Sequence, residues 1–477
     1  MLKNQIISIL TDNLGYQPTP GQHKLIDKLA DFILQPGRKE VLVVKGYAGT
    51  GKTTLVRSMV NTLKKLRIKS VLLAPTGRAA KVLAAFTRVN AYTIHKKIYR
   101  QKSYKDGFGK FVLEKNLHTN TFFIIDEASM ISNQSPEMSI FGSGRLLDDL
   151  IQYVYNDRQC KLILIGDTAQ LPPVGLDISP ALNLQNLQSY GLRAEEVFLP
   201  EIIRQSKDSG ILFNATKIRS MIEERRIELP RLSLKGFPDV ARISGEDLTE
   251  QITSAYDLNG LDETLIVVRS NKMANKYNQG IRSRILLREE QISVGDYLMV
   301  VKNNYYWLSD NEQIDFIANG DIMEIMKIHH FQERYGFHFA DISLRFVDYK
   351  DIEVEVKIIL DTLNIETAAL NMEQNKELFN AVLEDYQDIK SKKEQFDRLK
   401  NDPFFNALQV KFSYAVTCHK AQGGQWKVVF IDQGYLYDDR INLEYLRWLY
   451  TALTRSMEKL YLVNFSDKFF KEEWNNG

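Results

Sequence analysis

Residues 46–53 read GYAGTGKT, directly after the apolar run Val41–Val44 and directly before a stretch of helical character, Thr53–Leu66. A strand, a glycine-rich turn and a helix in that order make a phosphate-binding loop when Gly, Lys and Ser or Thr fall in register. Gly46, Gly49 and Gly51 leave room for main-chain N–H groups to face phosphate oxygens along the loop, through Ala48, Thr50 and on to Thr54. The positive end of the following helix adds a favourable field for an anion. Lys52 would reach the β and γ oxygens of a nucleoside triphosphate, and the Thr53 hydroxyl would hold Mg²⁺.

Working outward, the runs Val71–Ala74, Phe122–Ile125 and Leu162–Ile165 are short, apolar and bounded by Gly, Pro or Asp. Helical stretches separate them, which predicts a parallel sheet with helices on both faces. Asp126 and Glu127 follow Phe122–Ile125, where Asp126 could bind Mg²⁺ through water and Glu127 could act as general base toward the attacking water. In LILIGDTAQLPPV, residues 162–174, Asp167 and Gln170 stand just past another strand. The Gln170 amide could bond the γ-phosphate there; read alone, the segment is equally a polar turn closed by Pro172 and Pro173. Gln22, in TPGQHKLIDKL, is either an adenine-reading amide or a solvated residue at a helix start.

Composition bounds the rest. A chain of 477 residues with 44% hydrophobic residues exceeds one core and is expected to form several domains. Lys and Arg number 62 against 60 Asp and Glu, so any nucleic-acid groove must come from local clustering. Cys160 and Cys418 form no CxxC pair, which excludes a zinc site of ordinary spacing and argues against a disulfide framework. The first residues, MLKNQIISILTDNL, lack a signal-peptide pattern, and no stretch has the length of a membrane span. A soluble protein of the reducing cytoplasm, with no membrane partner, is the expectation.

A second set of buried-strand runs, Leu265–Val268, Val428–Ile431 and Leu460–Val463, predicts a second α/β domain. Between them the texture changes: Gly295–Val301 and Ile314–Ile328 have strand character, and Ile352, Val354, Val356 and Ile358 alternate with polar residues. That is the pattern of a small antiparallel β module. Leu378, Phe379, Val382, Leu383, Tyr386 and Ile389 then fall at helical spacing in a charged stretch running to about Lys400. The expected domains are 1–198, then 199–290 with 407–477, the latter interrupted by an insertion at 291–406.

GYAGTGKTT, IIDEASM and GDTAQLPPV, with LPEIIRQ (199–205), VTCHKAQG (416–423) and YTALTRS (450–456), resemble superfamily 1 helicases of the RecD and Dda type. All six segments stand in the family's order, and the resemblance spans the chain from Gln22 to Val463. The resemblance implies two RecA-like domains with ATP and Mg²⁺ between them, an SH3-like insertion at GDYLMVVKNN and ANGD, and 5′-to-3′ movement on single-stranded DNA. It assigns Arg204 and Arg455 to the transferring phosphoryl, where planar guanidinium groups stabilise charge. It places Pro75 and Thr76, Thr93 and His95, and Thr417, His419 and Lys420 along the DNA backbone. Hydroxyls and a lysine suit phosphate contact without reading sequence, and a histidine ring can stack on a base. Read from the residues alone, His95 and His419 are equally capping or core side chains. Where many relatives carry Glu after the HKxQG element to meet the nucleotide sugar, this chain has Gln425. Single-stranded DNA and duplex junctions are the implied partners, with replication or repair proteins beside them.

Other classes fit less well. Asn271-Lys272-Met273-Ala274 lacks the Asp of a guanine-reading NKxD element, and a structural protein has no need of the phosphate loop, the acidic pair and two arginines together. A translocase that remodels protein–DNA complexes, or drives a nuclease partner, stays open. Between residues 96 and 120, SYKDGFGKFVL has an Asp106-Gly107 turn flanked by Tyr104, Phe108, Phe111 and Val112. It reads either as a β-hairpin that splits the duplex or as a connecting loop packed on the first domain.

Overall fold

The computed structural model describes residues 2–35, 39–101, 111–134, 142–155, 159–202, 209–308, 316–347, 352–434 and 441–470, with the backbone alone at Gln101. The chain divides into two compact units. The first has a six-stranded sheet in the order Ala91–Thr93, Lys69–Ala74, Thr121–Ile125, Lys161–Gly166, Glu40–Gly46, Arg193–Leu199, parallel throughout. Its central strands are apolar at consecutive positions because helices cover both faces. Leu42, Val44, Ile124 and Ile163 pack with Leu55 and Val56 on one face. Val41, Val43, Phe123 and Leu162 pack with Leu147 and Leu150 on the other. Strand C-terminal ends of such a sheet are where ligands bind.

This unit runs on past residue 198, the boundary expected from the sequence, to Phe237, and it includes the helix Leu443–Leu453. The reason is packing. That helix lies on Gly210–Glu223, and both bury aliphatic and aromatic side chains, among them Ile211, Ile218, Leu446 and Leu449. The hairpin flanks are formed: Tyr99–Gln101 pairs antiparallel with Phe111–Leu113. Its tip, with Tyr104, Asp106 and Phe108, lies outside the described residues.

The second unit has a parallel sheet ordered Ala415–Thr417, Thr264–Val268, Trp426–Asp432, Ser456–Val463, Val240–Ile243. The expected β module is a closed five-stranded barrel: Tyr297–Val300, Ile322–Arg334, Phe337–Phe346, Glu353–Ile359 and Leu408–Phe412. The closing strand pairs antiparallel with the first strand and parallel with Glu353–Ile359, so the barrel takes residues beyond the expected limit of 406. Of the strand run expected over 314–328, the first two residues lie outside the described ones, and the strand Ile322–Arg334 follows a turn at Ala318–Asp321. The single helical run expected up to Lys400 is two helices, Met372–Glu384 and Lys392–Lys400. Each has its own N-cap, Asn371 and Ser391, and such caps compete with a continuous helix.

A buried charge cluster fixes the barrel's root. Asp296 is fully buried and accepts from Arg282 Nε at 3.1 Å, Arg288 Nη1 at 2.7 Å and the Tyr414 hydroxyl at 2.8 Å. Asp296 precedes the first barrel strand and Tyr414 follows the last. Among the described residues no helix is long and apolar enough to cross a membrane.

Candidate active site

Four adjacent strands of the first sheet end together, and the residues singled out from the sequence follow their ends. Glu40–Gly46 leads into the phosphate loop. A methyl group at Gly46 would lie 2.8 Å from Thr50 Oγ1 and 3.1 Å from Leu199 Cβ, so only glycine fits the turn. Gly51 caps the helix Lys52–Lys65 in the left-handed region, φ 80° and ψ 22°, where a side chain would be strained. Lys52 Nζ donates to the carbonyls of Gly46 at 2.9 Å and Tyr47 at 2.8 Å, which holds the ammonium at the loop. Thr50 is buried with its hydroxyl donating to the Tyr47 carbonyl at 2.9 Å.

Gln22 is buried, contrary to the solvated alternative. Its Oε1 accepts from the Thr19 N–H at 3.1 Å in a capping box, and its Nε2 donates to Tyr16 Oη and the Thr50 carbonyl, each at 3.1 Å. Both amide protons are thereby engaged. The structure assigns this amide to bracing the phosphate loop; reading adenine bidentately would require a donor to change partner.

Asp126 follows Thr121–Ile125, its N–H donating to the Leu73 carbonyl at 3.0 Å and its carboxylate accepting from the Glu127 N–H at 2.9 Å. Burial raises its pKa, while the Glu127 N–H and the nearby Lys52 ammonium lower it. Lys52 and Asp126 are thus within electrostatic reach. Glu127 adopts φ 53° and ψ 37°, a left-handed conformation costly for a non-glycine residue and common at functional sites. One hydroxyl and one carboxylate, Thr53 and Asp126, suit Mg²⁺, which keeps water and substrate oxygens rather than a protein cage. Among the described residues no group of three His, Cys, Asp or Glu is placed to hold a metal ion. Past Lys161–Gly166, Asp167 is fully buried, and Gln170 is buried with an Oε1 that has no hydrogen-bond partner among the described residues.

The other singled-out segments split between the units. In the first, Thr76 caps the helix Gly77–Thr87 directly after Pro75, and Thr93 caps Ile94–Ile98, accepting from the Lys96 N–H at 3.2 Å. Burial pushes the His95 ring down to about 4, so it is neutral near pH 7. In the second, Thr417 heads the turn Cys418–Ala421 with no cap bond from its side chain, and His419 is exposed. Lys420 Nζ donates to Asn319 Oδ1 at 2.7 Å, which ties this turn to the barrel's Ala318–Asp321 loop, and burial pushes its pKa down to about 8.

A family model described as "AAA domain" matches residues 18–228, and one described as "UvrD-like helicase C-terminal domain" matches residues 412–463. The chain is 24% identical over 463 residues to the ATP-dependent RecD2 DNA helicase of Deinococcus radiodurans, covering 93% of this chain and 50% of the relative. It is 22% identical over 453 residues to the ATP-dependent DNA helicase dda of Enterobacteria phage T4, covering 89% of this chain and 95% of the relative. Over most of its length this chain is similar to superfamily 1 helicases of the RecD and Dda type. It thus spans half of RecD2 and nearly all of Dda. Among solved structures, a Bacteroides Pif1 helicase in complex with ADP-AlF3 and ssDNA has a TM-score of 0.47 and 15% identity, covering 93% of this chain and 92% of that one.

Two arginines of the helicase were expected at the transferring phosphoryl. Arg204 lies outside the described residues. Arg455 is buried in the second unit, where Nη1 donates to the Gly424 carbonyl at 3.1 Å. Two contacts went unread in the sequence. Tyr450 and Thr451 stand inside the YTALTRS segment but carried no assigned role, and Asn319 was only part of the ANGD segment of the implied SH3-like insertion. Their signal is long-range hydrogen bonding, which a motif shows as residue type without a partner.

Proposed function

We propose that this ATP-hydrolysing helicase moves 5′ to 3′ along single-stranded DNA and separates the duplex ahead of it. The observation that carries the reading is the convergence of Lys52, Asp126, Glu127 and Gln170 on neighbouring strand ends, in a chain that also carries the helicase C-terminal domain. In this reading Lys52 and the loop amides hold the β and γ phosphates, and Thr53 and Asp126 hold Mg²⁺, which neutralises charge on the phosphates. Glu127 accepts a proton from the attacking water, and Gln170 orients on the γ-phosphate. Arg204 and Arg455 stabilise the charge that develops as the phosphoryl group leaves. Because they engage only when the γ-phosphate is present, they give ATP a differential affinity for one conformation, which is what converts hydrolysis into movement.

Pro75, Thr76, Thr93, His95, Thr417, His419 and Lys420 form the proposed DNA contacts, and polarity follows from the resemblance to RecD and Dda. Strand displacement on duplexes with a 5′ or a 3′ single-stranded tail, with ATP hydrolysis followed in parallel, tests this reading. Unwinding of the 5′-tailed substrate alone is expected. Hydrolysis stimulated by DNA without displacement of either duplex would replace it with a translocase that remodels protein–DNA complexes or drives a partner.

A further inference from the structure

Tyr450 lies on the helix Leu443–Leu453 and is almost fully buried. Its hydroxyl accepts from the Ala48 N–H of the phosphate loop at 3.0 Å and donates to the Asp167 carboxylate at 2.8 Å. The other Asp167 oxygen accepts from the Ala169 N–H at 2.9 Å. Thr451 Oγ1 accepts from the Leu171 N–H, also at 2.9 Å. One helical turn therefore grips the GDTAQL loop on both sides of Gln170 and touches the phosphate loop at Ala48. Burial keeps the phenol protonated and hence a donor. These bonds join segments about 280 and 400 residues apart in sequence, so they are features of the folded site and not of local turns. The Gln170 Oε1, which finds no partner among the described residues, sits in the loop they hold.

We propose that Tyr450 is a positioning residue for ATP hydrolysis: its hydroxyl fixes the phosphate loop relative to the loop carrying Gln170, so that the Gln170 amide meets the reacting phosphate in one geometry. The proposal rests on the ATPase reading of the site and deepens it. Lys52 and the remaining loop amides are untouched by the loss of one hydroxyl, so nucleotide affinity should survive. Misplacing a reacting group by about 1 Å can cost roughly 10²-fold in rate, so turnover should not.

The test is Tyr450→Phe in the full chain, with kcat and KM for ATP measured at saturating single-stranded DNA. Dissociation of a fluorescent non-hydrolysable ATP analogue and the thermal midpoint are measured on the same preparation. A kcat at least tenfold below wild type, with analogue affinity within threefold, supports the proposal. A kcat within twofold of wild type overturns it, as does a loss of turnover matched by an equal loss of analogue affinity, which a purely structural role would give. If Tyr450→Phe does not fold, Thr451→Val removes the acceptor for the Leu171 N–H and is read by the same split, with kcat unchanged as the overturning result. Failure of the wild type to hydrolyse ATP would instead overturn the ATPase reading itself, a result no variant is needed to see.

Discussion

Glu127 holds a left-handed backbone next to a carboxylate that accepts its own N–H, so its side-chain direction is set by the main chain and not by rotamer choice alone. Glu127→Gln keeps the shape and removes the basic oxygen. Hydrolysis should slow by about 10²–10⁴-fold, the range of general-base catalysis, while ATP still binds. Equilibrium binding of a labelled nucleotide beside steady-state turnover checks it; lost binding would make Glu127 structural. Lys52→Ala should abolish hydrolysis yet retain single-stranded DNA binding, because the proposed partners of Lys52 are phosphates of the nucleotide. His95 gives a prediction in pH. Its ring is held neutral with a pKa of about 4, below the ordinary 6.5, so it enters the pH range 6–8 without charge. The factor by which His95→Ala weakens DNA binding should therefore be equal at pH 6 and pH 8. A factor that grows at pH 6 would show an imidazolium on phosphate instead of a neutral ring on a base.

At the scale of elements, the hairpin Tyr99–Gln101 and Phe111–Leu113 is the part whose role can be separated from the motor. Phe111 belongs to its paired strand, and its carbonyl accepts from the Gly142 N–H at 2.7 Å, so a replacement should spare it. Exchanging residues 104–110 for a Gly-Ser linker should leave DNA-stimulated hydrolysis and single-strand translocation intact and abolish unwinding of tailed duplexes. Unwinding at the normal rate would place the wedge elsewhere, and lost hydrolysis would show that the segment supports the fold. The elements themselves were legible to different degrees. The strand, loop and helix around Gly46–Thr53 could be read because residue type and spacing within one turn decide that geometry. Barrel closure could not: Leu408–Phe412 pairs with Tyr297–Val300 across more than a hundred residues, and no local period encodes such a partner. The helix Leu443–Leu453 was likewise given to the second domain because its packing on Gly210–Glu223 depends on faces that meet only after folding. Gln22 was read as an adenine-reading amide or a solvated helix-start residue; the structure buries it at a helix start, with its amide bonded to Thr19, Tyr16 and the Thr50 carbonyl, the last two outside its own segment.

For the whole molecule, a formal net charge of +2 gives almost no long-range field, so attraction to DNA must come from a few placed cations. Lys420 is the one lysine among the proposed DNA contacts. Each neutralised phosphate on a single strand contributes about 0.7 to the slope of log affinity against log salt. Affinity for single-stranded DNA should thus fall with salt at a modest slope, and Lys420→Gln should lower that slope by about 0.7 at pH 7. The same lysine makes a second demand. Burial brings its pKa down to about 8, so it is charged at pH 7 and largely neutral at pH 9 in the free protein. The wild-type slope should move toward that of Lys420→Gln as pH rises across this interval, while the variant's slope stays constant. DNA stimulation of ATP hydrolysis, read on the same preparations, should follow occupancy of the strand with little dependence on sequence, as phosphate contacts require. Equal slopes for wild type and variant at pH 7 would remove Lys420 from the DNA path and leave its bond to Asn319 as a brace between the barrel and the turn at Cys418–Ala421.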